Sequence, residues 1–198
     1  METKIINQLG SWEDVVDACR FTVGKAPLGH NPSKEFRKSI LISEHTPIRL
    51  MTFRWTWTGM KHWVTTHFAR HRHEKFIRTQ RPDRTGAERG DQNAPQDYMG
   101  DANIQQLIDL SRKRLCAMSA DETHMACEAL KLEIHKTEPE ISDVMVPNCV
   151  YRCGCPEPDG CGWFRWACDN IPGIRSTDIQ SRYDAYNKYF RGDEDDSQ

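Results

Sequence analysis

The most regular pattern of apolar and polar positions predicts a helix over residues 104–118. Five apolar residues recur there at helical spacing: Ile104, Leu107, Ile108, Leu115 and Met118. Either Asp101 or Asn103 can cap the start of this helix. A Ser-Ala-Asp-Glu capping box at 119–122 then predicts a second helix that runs to about Lys136.

Shorter patterns predict one strand and further helices. Residues 50–57 alternate and are rich in β-forming side chains, so they predict a strand, which Gly59 ends. Helices are predicted for three other segments: 11–19 with Ser11 as its N-cap, 60–70, and the aromatic stretch 183–190. Two segments rich in glycine and proline are predicted to be loops: 82–100 and 148–172.

The length and composition indicate an ordered protein. The 198 residues suffice for one domain over 1–198, with a Cys-rich segment at 145–168 and an acidic tail at 192–198. No run approaches the ~18 apolar residues of a membrane span, and the first residues lack the apolar core of a secretion signal. Six Trp and seven Phe argue against a disordered chain. We therefore expect a cytoplasmic protein with no membrane partner.

Basic charge is concentrated between residues 70 and 84, although the net charge of the chain is −2. This basic run holds six cationic side chains against two acidic ones: Arg70, Arg72, Lys75, Arg78, Arg81 and Arg84. Arginine binds phosphate through a planar fork of N–H donors. A local basic run on a near-neutral protein suits a compact anion such as a nucleotide phosphate, and argues against a polynucleotide partner. The alternative is a solvated basic face without a ligand.

The predicted helix pair carries polar groups on helices that otherwise form core. Six of them lie within twenty residues: Asn103, Gln105, Asp109, Arg112, Arg114 and Glu122. They form either part of a binding site or a surface stripe of ion pairs.

Four of the eight cysteines crowd into thirteen residues: Cys149, Cys153, Cys155 and Cys161. Without an export signal, we expect a reducing compartment, with thiols that are free or bound to metal. The cluster resembles a zinc knuckle, although its spacing differs from that of common zinc fingers. Cys116 or a histidine could replace one of the four ligands. The alternative is a loop of free thiols.

Three segments in the same order resemble the flavin-dependent thymidylate synthases. The first two are His45-Thr46-Pro47-Ile48-Arg49 and the Arg-His-Arg triplet at 70–72, which is followed by Thr79-Gln80-Arg81. The third is Asn103-Ile104-Gln105 with Arg114 and Glu122 behind it. A further segment, Met145 to Arg152, resembles most the short phage-type branch of the family. The resemblance covers about residues 40–137.

The resemblance implies an α+β fold in which a mixed sheet is packed with helices, ending in a Cys-rich loop. It also implies the methylation of dUMP at C5 to dTMP, with FAD as cofactor and NADPH and methylenetetrahydrofolate as co-substrates. Members of the family are homotetramers whose active sites lie between subunits. A phage-encoded member would work in the host cytoplasm.

The matched positions imply roles for individual residues. Arg114 and Thr79 would be catalytic, with Arg114 stabilising negative charge on the pyrimidine. Residues that would hold FAD are Thr46, Arg70, His71, Arg72, Asn103, Gln105 and Asp109. Residues that would hold the nucleotide are His67, Arg70, Thr79, Arg81 and Arg114. The flavin carries the difficult chemistry, so no enzyme nucleophile is needed.

The chain also departs from the family pattern. Arg49 stands where a flavin-contacting Glu is usual, Gln105 stands where an Arg is usual, and Thr79 replaces a Ser after a spacer one residue short. These changes alter the charge around flavin and nucleotide, so another deoxypyrimidine monophosphate such as dCMP is an alternative substrate. An alternative from a different functional class is a zinc-containing nucleic-acid-binding protein, built from the basic run at 70–84 and the cysteines at 149–161. Its affinity for RNA or DNA would fall steeply as the salt concentration rises.

Overall fold

The computed structural model describes residues 1–192. Its strands are β1 (Glu2–Leu9), β2 (Thr52–Lys61), β3 (Glu74–Ile77) and β4 (Pro95–Asn103). The longer helices are α1 (Trp12–Phe21), α2 (Lys34–Ile42), α3 (His62–Ala69), α5 (Ile104–Arg114), α6 (Asp121–His135), α9 (Trp163–Asn170) and α10 (Ile179–Arg191). Short helical turns are α4 (Pro82–Thr85), α7 (Pro139–Asp143), α8 (Asn148–Arg152) and a 3-10 helix at Thr46–Leu50.

The four strands form one sheet in the order β1-β2-β4-β3, and every neighbouring pair is antiparallel. The predicted strand at 50–57 is β2, the long inner strand of this sheet. It does not end at Gly59: the pairing with β4 shifts register between Trp57 and Met60, where Gly59 has a φ of +72°. The glycine therefore makes a bulge and the strand continues. The α+β class is confirmed, and its sheet is antiparallel rather than mixed.

Strand β4 begins inside the segment 82–100 that we predicted as a loop and continues to Asn103. Its sequence is poor in β-forming residues, but it pairs with β2 on one side and β3 on the other. Gly100 is needed in it, because a Cβ there would lie 2.2 Å from the Trp55 ring. The prediction was wrong because packing across the sheet outweighed the local composition.

The core lies on one face of the sheet. Phe53, Trp55 and Trp57 of β2 are completely buried there, beside Tyr98 of β4 and under Phe68 of α3. The Trp57 and Phe68 ring centroids are 4.4 Å apart. These aromatic contacts fix α3 on the sheet, so the residues that follow α3 have a defined position.

The predicted helices exist, but several of their boundaries change: α3 begins at His62 because Lys61 ends β2, and α10 begins earlier than predicted, at Ile179. Ser11 caps α1 as predicted, and Asn103 rather than Asp101 caps the helix predicted at 104–118. That helix ends at Arg114, because Leu115 turns into the core while Met118 stays exposed. The predicted capping box at 119–122 is absent, since Ser119 Oγ donates to the Lys113 carbonyl instead.

The segment 148–172 is not a continuous loop, because α8 and α9 lie within it. Arg182 of α10 ties α8 in place by donating to the backbone carbonyls of Val150 and Tyr151, each at 3.0 Å. Buried carbonyls at the end of a short helix need such a donor. From residue 193 onward, the predicted acidic tail lies outside the described residues. In residues 1–192, none of the helices has the length and apolar character to span a membrane.

Candidate functional site

Four of the residues predicted to bind ligand meet at the ends of two helices. Arg70 is the C-cap of α3 and His71 follows it, while Arg114 is the last residue of α5. Arg114 Nε donates to His71 Nε2 at 2.7 Å, and Arg114 Nη2 donates to the backbone carbonyl of His67 at 2.6 Å. The structure thus brings Arg114 together with His67, Arg70 and His71. In the sequence, Arg114 lies more than forty residues after the other three.

Burial and neighbouring cations keep the histidines of this cluster neutral. Burial lowers the pKa of His71 to about 4, with further lowering by Arg114, Lys75 and Lys113. Burial, and then Arg114 and Arg70, also lower the pKa of His67. A neutral His71 can accept the Arg114 N–H, whereas an imidazolium could not. The arginines therefore give the cluster a positive charge, and the neutral His71 supplies a hydrogen-bond acceptor.

The cluster lies at one side of a cleft of about 930 Å³. This volume is near the top of the range of about 300–1,000 Å³ that is typical of small-molecule sites. Five cationic side chains line the cleft: Arg70, Arg112, Lys113, Arg114 and Arg165. Five aromatic side chains, here called the aromatic wall, also line it: Trp163, Phe164, Tyr186, Tyr189 and Phe190. A cleft with both positive charge and aromatic rings suits a ligand that combines a phosphate with a planar ring.

A histidine–glutamate pair lines the same cleft. His124 Nε2 lies 3.1 Å from the Glu128 carboxylate, and His124 Nδ1 lies 3.3 Å from the Cys116 carbonyl. The hydrogen bond to Glu128 raises the pKa of His124. A titratable pair at this position can exchange a proton with a bound ligand or with water.

The cysteines are divided between two places. Cys116, Cys149, Cys155 and Cys161 line the cleft, whereas Cys153 lies outside it with Sγ 3.7 Å from the Arg175 carbonyl. Burial raises the pKa of the Cys149 thiol to about 12, so it is protonated at neutral pH.

The predicted zinc site at Cys149, Cys153, Cys155 and Cys161 is therefore not assembled in this structure. Among residues 1–192, no three His, Cys, Asp or Glu side chains lie close enough together to hold a metal ion. Cys153 is turned away because it ends α8 in the left-handed conformation, with a φ of +53°.

A second polar network surrounds Glu44. Its carboxylate accepts from Gln105 Nε2 at 2.6 Å and pairs with the Arg112 guanidinium. Arg112 also stacks on Tyr151, with 3.7 Å between its Cζ and the ring centroid. Asp109 lies at the edge of this network, 3.4 Å from Gln105 Nε2. Glu44 has a φ of +50°, a conformation that non-glycine residues adopt only under a strong local constraint.

The other residues predicted to hold FAD do not line the cleft. Thr46 is exposed at the start of the 3-10 helix, and the Asn103 side chain is occupied in capping α5. Gln105 and Asp109 belong to the Glu44 network. Arg72 is exposed beyond the cleft. In this chain alone, only Arg70 and His71 of the predicted flavin residues reach the cleft.

Thr79 and Arg81 also lie away from Arg114. Both are exposed in the segment between β3 and α4. Arg81 is paired with the Asp83 carboxylate at 2.7 Å, and its backbone N–H donates to Thr79 Oγ1 at 3.2 Å. One chain therefore does not combine the two residues that were predicted to be catalytic, Thr79 and Arg114.

Sequence reasoning assigns no ligand role to the aromatic wall and predicts 183–190 only as an aromatic helix. Trp163 and Phe164 are partly buried, while Trp166 on the same helix is 45% exposed. Their aromatic density was a visible signal, but only the fold shows that α9 and α10 face the end of α5.

The chemistry of the cleft fits a flavin in part. Arg70 and Lys113 offer donors for a pyrophosphate, and the aromatic wall offers a surface for a planar ring. Of the Glu44 network, Arg112 reaches the cleft, whereas Glu44, Gln105 and Asp109 do not line it. Those three residues would contact a flavin only where a second copy of the chain extended the site.

Comparisons with known proteins show the fold. No protein-family model matches the sequence, and no curated protein matches it at a significant level. The crystal structure of Thymidylate Synthase X (ThyX) from Helicobacter pylori with FAD and dUMP is similar, with a TM-score of 0.61 and 10% identity over 73% of this chain and 99% of that chain. A second structure of the flavin-dependent thymidylate synthase ThyX from Helicobacter pylori, complexed with FAD and dUMP, has a TM-score of 0.63 and 9% identity over 74% of this chain and 100% of that chain. The chain therefore shares the fold of these thymidylate synthases.

Proposed function

We propose that this chain is a flavin-dependent thymidylate synthase that methylates dUMP at C5. The observation that carries the proposal is the position of Arg114. It is held by His67 and His71, beside Arg70, in a cleft with an aromatic wall. The fold, shared with structures that contain FAD and dUMP, supports the same reaction.

Arg114 and Arg70 would divide the recognition of the nucleotide. The Arg114 guanidinium would donate to the pyrimidine carbonyls and stabilise negative charge on the ring as C5 becomes nucleophilic. Arg70, exposed at the rim, would bind the phosphate. Burial lowers the pKa of Arg114, yet an arginine side chain remains charged in proteins. The positive charge is thus permanent at neutral pH.

The cofactor and co-substrates follow from the same proposal. FAD, once bound and reduced by NADPH, would supply the hydride needed to convert the one-carbon unit of methylenetetrahydrofolate into a methyl group. Within this cleft Arg70 would hold FAD from the end of α3, whereas Arg72, exposed beyond the cleft, would reach the flavin of a neighbouring copy. The aromatic wall would exclude water from the ring that lies against it.

The remaining predicted residues are proposed to act between subunits of a homotetramer. Thr79 and Arg81 would serve the cleft of a neighbouring copy, and so would the flavin-binding set Thr46, Asn103, Gln105 and Asp109. Their exposure or their distance from Arg114 within one chain supports this arrangement.

A turnover assay tests the proposal. The purified protein is incubated with FAD, NADPH and methylenetetrahydrofolate, and with either dUMP or dCMP, and the methylated nucleotide is measured by mass spectrometry. We expect dTMP from dUMP, and no product when FAD is left out.

Three results would contradict the proposal. A protein that takes up no FAD would remove the cofactor and with it the reaction. Product from dCMP alone would keep the flavin chemistry but replace the substrate, as the changes at Arg49 and Gln105 allow. Retained methylation without FAD would require another source of hydride.

A further inference from the structure

We propose that His71 is a positioning residue for Arg114: its imidazole accepts from the guanidinium and so directs the other N–H groups of Arg114 toward the nucleotide. The inference rests on the proposed function, because it names dUMP as the ligand of Arg114. It gives His71 a role different from the flavin contact that the family resemblance implies.

The contacts of Arg114 define the orientation of its guanidinium. An arginine side chain has five N–H donors in one plane. Nε donates to His71 at 2.7 Å and one Nη2 hydrogen donates to the His67 carbonyl at 2.6 Å. These two bonds occupy one edge of the plane, so the end that carries Nη1 remains for a ligand. A planar group held along one edge cannot rotate to present a different donor pattern.

His71 is itself held firmly. Its backbone N–H donates to the Phe68 carbonyl at 3.0 Å, and its own carbonyl accepts from Lys75 Nζ at 3.0 Å. Phe68 is completely buried against the sheet. The backbone of His71 is therefore held by α3 and the core, and its imidazole, anchored on that backbone, meets the Arg114 guanidinium.

The contact also fixes the protonation state of His71. Nε2 must carry a lone pair to accept from Arg114, so the single proton of the neutral ring lies on Nδ1. Burial and the cations Arg114, Lys75 and Lys113 lower the pKa of His71 to about 4, which keeps the ring neutral at pH 7.

The experiment compares two replacements at this position. His71→Leu removes the acceptor, and His71→Gln places an amide oxygen at a similar reach. His30→Leu, in an exposed loop away from the cleft, is the control. The affinity for dUMP is measured by calorimetry on FAD-loaded protein, and the affinity for FAD and the melting temperature are measured separately.

We expect His71→Leu to weaken dUMP binding by about tenfold or more, since a hydrogen bond to a charged group is lost. His71→Gln should stay within about threefold of wild type, because the acceptor is restored. FAD affinity and melting temperature should change little in either variant. Wild-type dUMP affinity in His71→Leu, or equal losses in both variants, would overturn the inference. So would a loss of FAD affinity that parallels the loss of dUMP affinity.

A second measurement separates this inference from the proposed function. Nitrogen-15 NMR of the ligand-free protein should show His71 neutral, with its proton on Nδ1. If that state is present but dUMP does not bind, the contact stands and the proposed function fails. If dUMP binds while the His71 proton lies on Nε2, the proposed function stands and the positioning role fails.

Discussion

Arg114 is the side chain on which the proposed chemistry depends most. It ends α5, and two acceptors on α3 and its C-terminal end hold its guanidinium at the cleft. Replacing it with alanine should lower turnover of dUMP by about 100-fold or more, because a donor that stabilises developing charge is lost. Steady-state rates of dTMP formation measure this effect.

The control for Arg114→Ala is Arg89→Ala, which removes an exposed arginine from the loop after α4. Both variants should keep the melting temperature of wild type, and only Arg114→Ala should lose activity. Full turnover by a folded Arg114→Ala protein would remove Arg114 from its role.

Lys131 links the stability of the core to pH. It is 1% exposed, and its Nζ donates to the Ser142 carbonyl and to Asn187 Oδ1. Burial lowers its pKa from 10.5 to about 7. Between these values the unfolded chain binds the proton and the folded chain does not, so the free energy of unfolding should rise as the pH increases from 7 to about 10.

Lys131→Met should abolish that part of the pH dependence. The measurement is urea unfolding at pH 7, 8 and 9, with Lys136→Met at the exposed end of the same helix as the control. The stability of wild type relative to Lys131→Met should increase with pH. If the free energies of unfolding of wild type and Lys131→Met change equally between pH 7 and 9, the result would contradict a neutral Lys131 in the folded protein.

The turn between α2 and the 3-10 helix depends on one ion pair. Glu44 and Arg112 have side chains that are 22% and 14% exposed, and Gln105 adds a bond to the same carboxylate. Glu44→Gln leaves Arg112 partly buried without an anion. It should lower the free energy of unfolding by about 2 kcal/mol, as loss of one partner does in a largely buried pair.

Chemical denaturation of Glu44→Gln is compared with Glu88→Gln, whose side chain is exposed in a loop. We expect the exposed substitution to change stability by less than about 0.5 kcal/mol. Equal stabilities of the two variants would show that the Glu44 network does not support the turn.

The elements that the sequence predicts are those with a strong periodic pattern. Helices α1, α5 and α6 and strand β2 each carry a regular apolar face, and their existence could be inferred directly. The other strands could not. Strand β3 is four residues long within a basic run, and β4 is a strand because of Trp55 and its neighbours. Their structure comes from pairing across the sheet, which local composition does not report.

The candidate site could be predicted only in part. The family resemblance, rather than the spacing alone, selects Arg70, His71 and Arg114, and the fold brings them together. It does not bring Thr79 or Arg81 to the same cleft. A sequence pattern carries no information about which copy of a chain supplies each side chain, so residues that act between subunits are indistinguishable from residues that act within one.

Assembly into a shared site can be tested by mixing inactive subunits. Arg81→Ala and Arg114→Ala should each be inactive alone, since every site lacks one residue. Co-expressed in equal amounts, they should recover about a quarter of wild-type activity, because random assembly leaves that share of interfaces intact. Differently tagged subunits allow the mixed oligomer to be purified. Absence of recovery in the mixed oligomer would place both residues in the same chain's site or outside any site.

The most direct test of the central claim is a crystal structure of the protein with FAD and dUMP bound. It should show the pyrimidine within hydrogen-bonding distance of the Arg114 guanidinium, the phosphate on Arg70, and the His71–Arg114 contact preserved. A structure in which dUMP occupies another part of the surface, with Arg114 contacting neither nucleotide nor flavin, would contradict the claim.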